Sequence, residues 1–118
     1  MAYIKEYSSN RIVLKIDDNC LIDYMTNHKE YRIDNDKIRE YSSNRIVYSF
    51  DNKYLREYSS NRILVSFDDK YLRDYSSNRI ELVVDGDKIR DYHSNRILYV
   101  IDGYISRGCL LAFLMLGM

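Results

Sequence analysis

Hydrophobic and polar positions alternate along most of the chain, in short stretches separated by residues that favour turns. Between residues 45 and 50, Ile46, Tyr48 and Phe50 occupy every second position, which is the period expected of a strand that buries one face. Similar triplets are predicted to point inward in the other copies: Ile12/Leu14/Ile16, Lys29/Tyr31/Ile33, Ile63/Val65/Phe67, Ile80/Leu82/Val84 and Ile97/Tyr99/Ile101. A shorter stretch accompanies each triplet and carries one inward aliphatic residue: Ile4, Leu21, Ile38, Leu55, Leu72 and Ile89.

This pair of stretches recurs every seventeen residues. Each copy begins with an acidic residue followed by tyrosine, and the six copies span residues 6–22, 23–39, 40–56, 57–73, 74–90 and 91–107. Two kinds of turn alternate between the stretches: Tyr-Ser-Ser-Asn, whose asparagine suits the left-handed conformation, and Asp-Asn, Asp-Asp or Asp-Gly. A repeated two-strand unit determines the kind of fold. It predicts a continuous antiparallel meander of twelve strands in one domain that covers residues 1–118.

The last ten residues, 109–118, are unlike the repeats, because every position from 109 to 116 is apolar. A helix that is apolar on all sides must be enclosed by protein or by lipid. We predict a central helix at about 107–116, with Ser106 as its N-cap and Gly117 as its stop. A membrane anchor is disfavoured, because a span needs about 20 apolar residues.

Closure of the sheet would provide the enclosure for this helix. An open meander would expose two long edges and one apolar face, and closing it removes both hazards. With strands about 4.8 Å apart and tilted by about 40°, the lumen is about 12 Å wide, which is the diameter of one helix. We therefore predict a mainly β fold, a closed antiparallel meander barrel of about twelve strands that encloses the C-terminal helix. Residues 3–7 should pair with residues 96–101.

The repeat resembles that of the bacterial β-flower proteins, in which an aliphatic-Arg-Asp, Ser-Ser, aliphatic and Asp-Gly pattern recurs at about this spacing. The copy that carries the resemblance reads Ile89-Arg90-Asp91-Tyr92-His93-Ser94-Asn95-Arg96-Ile97-Leu98-Tyr99-Val100-Ile101-Asp102-Gly103. The resemblance extends over the whole chain, including the hydrophobic tail. The predicted architecture is also similar to that of tubby-like and scramblase-like domains. The resemblance implies the fold and no particular reaction.

Charge and cysteine content narrow the function classes. Lys plus Arg and Asp plus Glu are equal at 18 each, so no uniform field attracts nucleic acid or an anionic membrane, and we expect no nucleic-acid partner. Cys20 and Cys109 are too few for a disulfide framework and are expected to be buried. Because the first residues also do not read as a signal peptide, we expect a cytoplasmic protein.

Candidate chemistry is sparse. The sequence contains no phosphate-binding loop, nucleophile elbow or metal-binding histidine pair, and His28 and His93 are far apart in sequence, so we expect no catalytic residue, metal or cofactor. The six acidic residues that begin the copies are expected to bond backbone amides of the turns.

A ligand surface, if one exists, has two candidate locations. The divergent second copy offers Asp23, Tyr24 and His28. The later copies offer two pairs of arginines, Arg56 with Arg62 and Arg73 with Arg79. These arginines could bind phosphate, but we favour cross-strand ion pairs with Glu57 and Asp74. The outward tyrosines suit a protein-binding or sugar-binding surface.

We expect a non-enzymatic repeat module with a structural or protein-interaction role, because the polar residues recur in ladders with no singular cluster. The alternative is a domain that binds lipid headgroups at a membrane, as suggested by the tubby-like architecture and the arginine ladders. Membrane association is the less favoured of the two.

Overall fold

The computed structural model describes residues 1–116, which form twelve strands and a C-terminal helix. The strands are β1 (Ala2–Glu6), β2 (Ile12–Asp17), β3 (Cys20–Asp23), β4 (Lys29–Asp34), β5 (Lys37–Glu40), β6 (Ile46–Phe50), β7 (Tyr54–Glu57), β8 (Ile63–Phe67), β9 (Tyr71–Asp74), β10 (Ile80–Asp85), β11 (Lys88–Asp91) and β12 (Ile97–Asp102), and the helix is α1 (Arg107–Leu116). Each strand pairs antiparallel with its sequence neighbours, and β1 pairs with β12. Residues 3–6 lie opposite residues 99–102, so the two ends of the meander pair as predicted. The predicted closed meander barrel is confirmed.

A bulge interrupts the register of every hairpin that has a four-residue turn. In the hairpin of β5 and β6, Ile38 lies opposite Tyr48 and Arg39 lies opposite Ile46, which leaves Val47 unpaired. A bulge inserts one residue and so reverses the inward and outward alternation beyond it. It brings the second residue of several long strands against the core, at Val13, Val47 and Leu64.

The predicted inward position of the first residue in each triplet is therefore wrong. Each of these residues is half-buried or exposed. Within residues 1–116, none of them belongs to the core cluster: Ile12, Lys29, Ile46, Ile63, Ile80 and Ile97. The second and third members of the triplets do belong to the core or pack against it, as Leu14, Ile16, Val65 and Phe67 show. The bulges thus shorten the buried part of each long strand.

The helix lies in the lumen of the barrel. Its side chains at Cys109, Leu111, Ala112 and Leu114 are almost fully buried, at 2% exposure or less. The ring of Phe113 meets Tyr99 of β12 edge-on at 5.0 Å, whereas Gly108 lies against Phe50 of β6. Because β12 and β6 are six strands apart in a barrel of twelve, the helix contacts opposite walls. The six lone aliphatic residues of the short strands complete this core, each at 1% exposure or less: Ile4, Leu21, Ile38, Leu55, Leu72 and Ile89.

The start of the helix is fixed by two side chains. The Cys109 backbone N–H donates to Ser106 Oγ at 3.3 Å, which confirms Ser106 as the cap. Arg107 donates to the carbonyl oxygens of Asp51 at 3.0 Å and Phe67 at 2.7 Å, and its Nη1 lies 2.6 Å from Asp69 Oδ1. The guanidinium also lies over the Phe67 ring, 5.1 Å from its centre. Arg107 therefore joins the helix to two adjacent hairpin turns. The predicted stop at Gly117 lies outside the described residues.

Close packing at the start of the helix requires a glycine. A Cβ atom added to Gly108 would lie 2.7 Å from Ile33 Cγ2 and 2.7 Å from Phe50 Cζ, which is closer than real Cβ contacts. Any side chain at this position would push the helix away from β4 and β6.

We predict that Gly108→Ala destabilises the protein by about 1–3 kcal/mol, because an added methyl overpacks this contact. Denaturant unfolding measures the change. Helix propensity alone would give the opposite sign, since alanine favours a helix over glycine by about 1 kcal/mol. A neutral or stabilised variant would therefore show that the helix does not approach the wall this closely.

We predict that a chain ending at Ser106 does not fold, because the barrel wall would then surround an empty apolar lumen. Leu111→Ala should leave the barrel folded but cost about 2–5 kcal/mol, as for a buried leucine that leaves a cavity. Cooperative denaturant unfolding is the measurement for both variants. A truncated chain that unfolds with the wild-type midpoint would mean that the tail does not fill the core.

Candidate functional site

The acidic residue that begins each copy organises the four-residue turn that follows it. In copies that begin with aspartate, the carboxylate accepts hydrogen bonds from the turn itself: Asp74 Oδ2 accepts from the Ser77 backbone N–H at 3.0 Å and from the Ser77 hydroxyl at 2.8 Å. In copies that begin with glutamate, Glu57 Oε1 accepts only from the Ser60 hydroxyl at 2.7 Å, and Ser60 Oγ accepts from the Arg62 N–H. The expected bonds to backbone amides are confirmed for Asp23, Asp74 and Asp91.

The asparagine that ends each four-residue turn is left-handed, as predicted. Its φ lies between 59° and 62° in all six copies: Asn10, Asn27, Asn44, Asn61, Asn78 and Asn95. Asparagine tolerates this conformation better than other residues with a side chain. The six turns therefore have the same backbone shape and present the tyrosine after the acidic residue in the same way.

Hydrogen bonding lowers the pKa of two turn aspartates. The hydroxyls of Ser77 and Ser76 and the Ser77 amide lower the pKa of the Asp74 carboxyl, and the Ser94 hydroxyl and amide lower that of Asp91. All of these donors favour the charged form. The carboxylates are thus tied to the structure of the turns.

The residues predicted for a ligand surface fall on opposite sides of the barrel. Asp23, Tyr24 and His28 lie in or beside the turn between β3 and β4, where the Asp23 carboxylate accepts from the Met25 and Thr26 amides, and His28 Nδ1 lies 3.3 Å from Glu30. The four arginines lie on or beside β7 to β10: Arg56, Arg62, Arg73 and Arg79. Since β3 and β9 are six strands apart in the closed ring, the two sets do not form one site.

Shallow grooves run between successive copies on the outer wall. One groove has a volume of about 520 Å³ and is lined by Lys53, Tyr54, Tyr71, Arg73 and Tyr75, among others. Equivalent positions one copy earlier line a groove of about 480 Å³, and those one copy later line a groove of about 720 Å³. These three grooves are neighbours on the outer wall of the barrel.

Tyrosines form the walls of these grooves. Each turn tyrosine is between 42% and 50% exposed, and together they form a ring: Tyr7, Tyr24, Tyr41, Tyr58, Tyr75 and Tyr92. Tyr75 packs edge-on against Tyr54 at 5.7 Å, and Tyr92 packs in the same way against Tyr71 at 6.2 Å. Edge-on contact positions both rings and leaves part of each accessible.

Four of the six short strands begin in one of two ways, with Asp-Lys or with Lys-Tyr, and the two kinds carry different surface charges. In copies with Asp-Lys at this place, carboxylates neutralise the cations: Lys37 lies 2.8 Å from Asp36, and Lys88 lies 3.1 Å from Asp87. The arginine two residues later is also paired, because Arg39 lies 3.1 Å from Asp34. Arg90 lies 3.7 Å from Asp85 in the same arrangement. We call these the Asp-Lys copies.

The two copies with Lys-Tyr at this place, here called the Lys-Tyr copies, are arranged differently. Asp51 Oδ1 accepts from the amides of Lys53 and Tyr54, both at 2.8 Å, so this carboxylate is used by its own turn. Lys53 and Arg56 lie over the Tyr54 ring, 5.2 Å and 5.9 Å from its centre. The next copy repeats the arrangement. Lys70 and Arg73 lie 5.3 Å and 6.0 Å from the centre of the Tyr71 ring.

The prediction that the four arginines form ion pairs with Glu57 and Asp74 is wrong. None of the expected cross-strand pairs with Glu57 or Asp74 is present among the described residues, since Arg56 and Arg73 lie over tyrosine rings. Arg79 forms a different pair, with Glu81 at 3.2 Å. Sequence reasoning missed the cation-flanked tyrosines. The signal that could have located them is the change from Asp-Lys at 36–37 and 87–88 to Lys-Tyr at 53–54 and 70–71.

Three further features bear on function: possible metal ligands, membrane-spanning helices and the two cysteines. Within residues 1–116, no group of three or more His, Cys, Asp or Glu side chains is arranged to hold a metal ion. No helix in this part of the chain is long and apolar enough to cross a membrane. Cys20 and Cys109 are both free and buried, as predicted, and burial raises the pKa of the Cys109 thiol.

Comparisons with protein-family models, with curated protein sequences and with solved structures found no significant match. The resemblance to β-flower proteins remains a prediction.

We predict that the turn aspartates make stability depend on acid pH. Their pKa is lowered from 3.8 in the folded state, so their contribution is present above pH 3.8 and is lost as the pH falls through the folded value. Asp74→Asn with Asp91→Asn should therefore flatten the fall of unfolding free energy below about pH 4. Denaturant unfolding over a pH series measures the slope.

Ser77→Ala with Ser94→Ala is the matched variant, since it removes hydroxyl donors and leaves the carboxylates in place. It should flatten the same part of the curve. An acid transition that neither pair of substitutions changes would mean that these turns do not control it.

Proposed function

We propose that this protein is a non-enzymatic interaction module that binds a partner protein through the grooves of its outer wall. The observation that carries the proposal is the ring of half-exposed tyrosines, three of which pack edge-on against a strand tyrosine: Tyr24, Tyr75 and Tyr92. Tyrosine and arginine are enriched at protein interfaces, because they offer large contact areas with polar ends. The lumen is occupied by the helix, so the outer wall is the surface on which a partner would bind.

The non-enzymatic character is supported by how the polar groups are used. Carboxylates such as Asp51, Asp74 and Glu57 each accept hydrogen bonds from their own turn. Groups held in this way stabilise the fold and are poorly placed for proton transfer to a substrate. A cytoplasmic location is part of the proposal and is supported by two free, buried thiols. The β-flower resemblance is compatible with such a module.

Lipid headgroup binding is the competing function. Arg56 and Arg73 are accessible cations of the kind that bind phosphate, so vesicle binding has to be measured beside protein binding.

The proposal predicts a partner that depends on the tyrosine pairs. Affinity capture from the native cell lysate should retain a protein with the wild-type chain and lose it with Tyr75→Ala and Tyr92→Ala combined. Tyrosine is enriched among the interface residues whose truncation costs about 2 kcal/mol or more. Tyr7→Ala with Tyr41→Ala is the matched control, because Tyr7 lines the groove between β12 and β1 and Tyr41 lies beneath Lys29 of β4, away from Tyr54 and Tyr71, and it should retain the partner. Quantitative mass spectrometry compares the three samples.

Flotation with phosphatidylserine-containing vesicles is the second arm of this experiment. Clean co-flotation of the wild-type chain, together with capture that is equal for both tyrosine variants, would replace the proposal with the lipid-binding alternative.

A further inference from the structure

We infer that the segment recognised by this protein is an extended acidic stretch of another protein. It lies across two adjacent grooves, the groove of about 520 Å³ lined by Lys53 and Arg73 and the groove of about 720 Å³ lined by Lys70. This inference rests on the proposed function and specifies the partner's chemistry and the side of the barrel that it contacts.

The distribution of charge on the wall supports the choice of side. The chain has equal numbers of acidic and basic residues, yet the groove lined by Lys53 and Arg73 contains one carboxylate, Asp68. That carboxylate accepts from the amides of Lys70 at 3.0 Å and Tyr71 at 2.7 Å, so it is directed into its own turn. The cations of this groove are left to attract an anionic ligand.

The opposite side of the ring has the reverse balance. The groove between β12 and β1 is lined by Lys5, Asp87 and Asp102, so carboxylates outnumber cations there. Lys5 lies 3.6 Å from Asp102, and Asp87 pairs with Lys88. The cations on that side are therefore already paired with carboxylates, whereas Lys53 and Arg73 lie over tyrosine rings. Complementary charge thus favours docking of an acidic ligand on the Lys-Tyr copies.

The contents of the groove indicate a protein segment and not a lone anion. Each Lys-Tyr copy places two cations beside one partly accessible tyrosine ring, and this set is repeated in the next copy. The sets lie on or beside β7 and β9, which are two strand spacings apart, or about 10 Å at about 4.8 Å each. Three residues of an extended chain span about 10 Å. A run of acidic residues over this length would place carboxylates near both cation sets, whichever of the alternating side chains face the wall.

The curvature of the wall favours a flexible segment over a membrane. Six copies complete the ring, so neighbouring grooves face directions about 60° apart. A flat bilayer cannot contact two such grooves equally, whereas an extended chain can follow the wall. The membrane is therefore an outcome to be tested and not part of the inference.

A short fluorescein-labelled oligoglutamate peptide is the probe, and fluorescence anisotropy measures its binding to the full chain. We expect binding that weakens with added salt, because exposed charges are screened. Lys53→Glu with Lys70→Glu should weaken binding at least about tenfold, which corresponds to about 1.4 kcal/mol. Lys37→Glu with Lys88→Glu changes the net charge equally but lies in the Asp-Lys copies, and it should weaken binding much less. Lys53→Gln with Lys70→Gln should also weaken binding, because it removes the two positive charges without adding negative ones.

Three results would overturn the inference. The first is equal weakening by both charge-reversed pairs, which would indicate unspecific attraction. The second is preferential binding of phosphatidylserine vesicles with the same dependence on Lys53 and Lys70, which would assign the face to lipid. The third is failure to bind oligoglutamate while the tyrosine-dependent lysate capture persists. In that case the proposed interaction module stands and its partner segment is not acidic.

Discussion

The structure depends on the filling of the barrel by its own last helix. Twelve strands close with a lumen that the inward aliphatic residues of the short strands do not fill alone, and the helix supplies the missing apolar contacts on opposite walls through Phe113 and Gly108. The helix is equally unable to exist outside the wall, because it has no polar face. Repeats and tail are therefore one cooperative unit. The sharpest constraint is Gly108, where there is no space for a single methyl group between β4 and β6.

The helix also breaks the symmetry of the repeats, and it does so beside the grooves to which we assign function. Arg107 bonds to the turns that contain Asp51 and Asp69 and lies over Phe67. In these two copies the long strand ends one residue earlier, at Phe50 and Phe67, and the freed aspartate accepts the amides of its own turn. On the side that faces the helix, these two turns accept hydrogen bonds from Arg107. On the outside they release Arg56 and Arg73 from the carboxylates that hold their equivalents in other copies.

Much of the fold could be predicted because the sequence repeats. A period of seventeen with two kinds of turn determines the meander, and the apolar tail then requires closure. The bulges could not be predicted, because the bulged position is aliphatic in several copies, such as Val47 and Leu64, so either alternation reads as a buried face. The acidic residues Glu30 and Glu81 occupy the same position in other copies, which shows that it tolerates both kinds of side chain.

The candidate surface was less predictable than the fold for a related reason. Sequence divergence points to the second copy, where Asp23 proves to hold its own turn. The cation-flanked tyrosines involve residues that look ordinary in sequence, because whether an arginine pairs with a carboxylate or lies over a ring depends on where the preceding strand ends. A one-residue difference in strand length changes the partner of Arg73 relative to Arg39. In a repeat protein of this kind, distinct surface chemistry thus arises from small differences in hairpin geometry, and near-identical copies need not present equivalent surfaces.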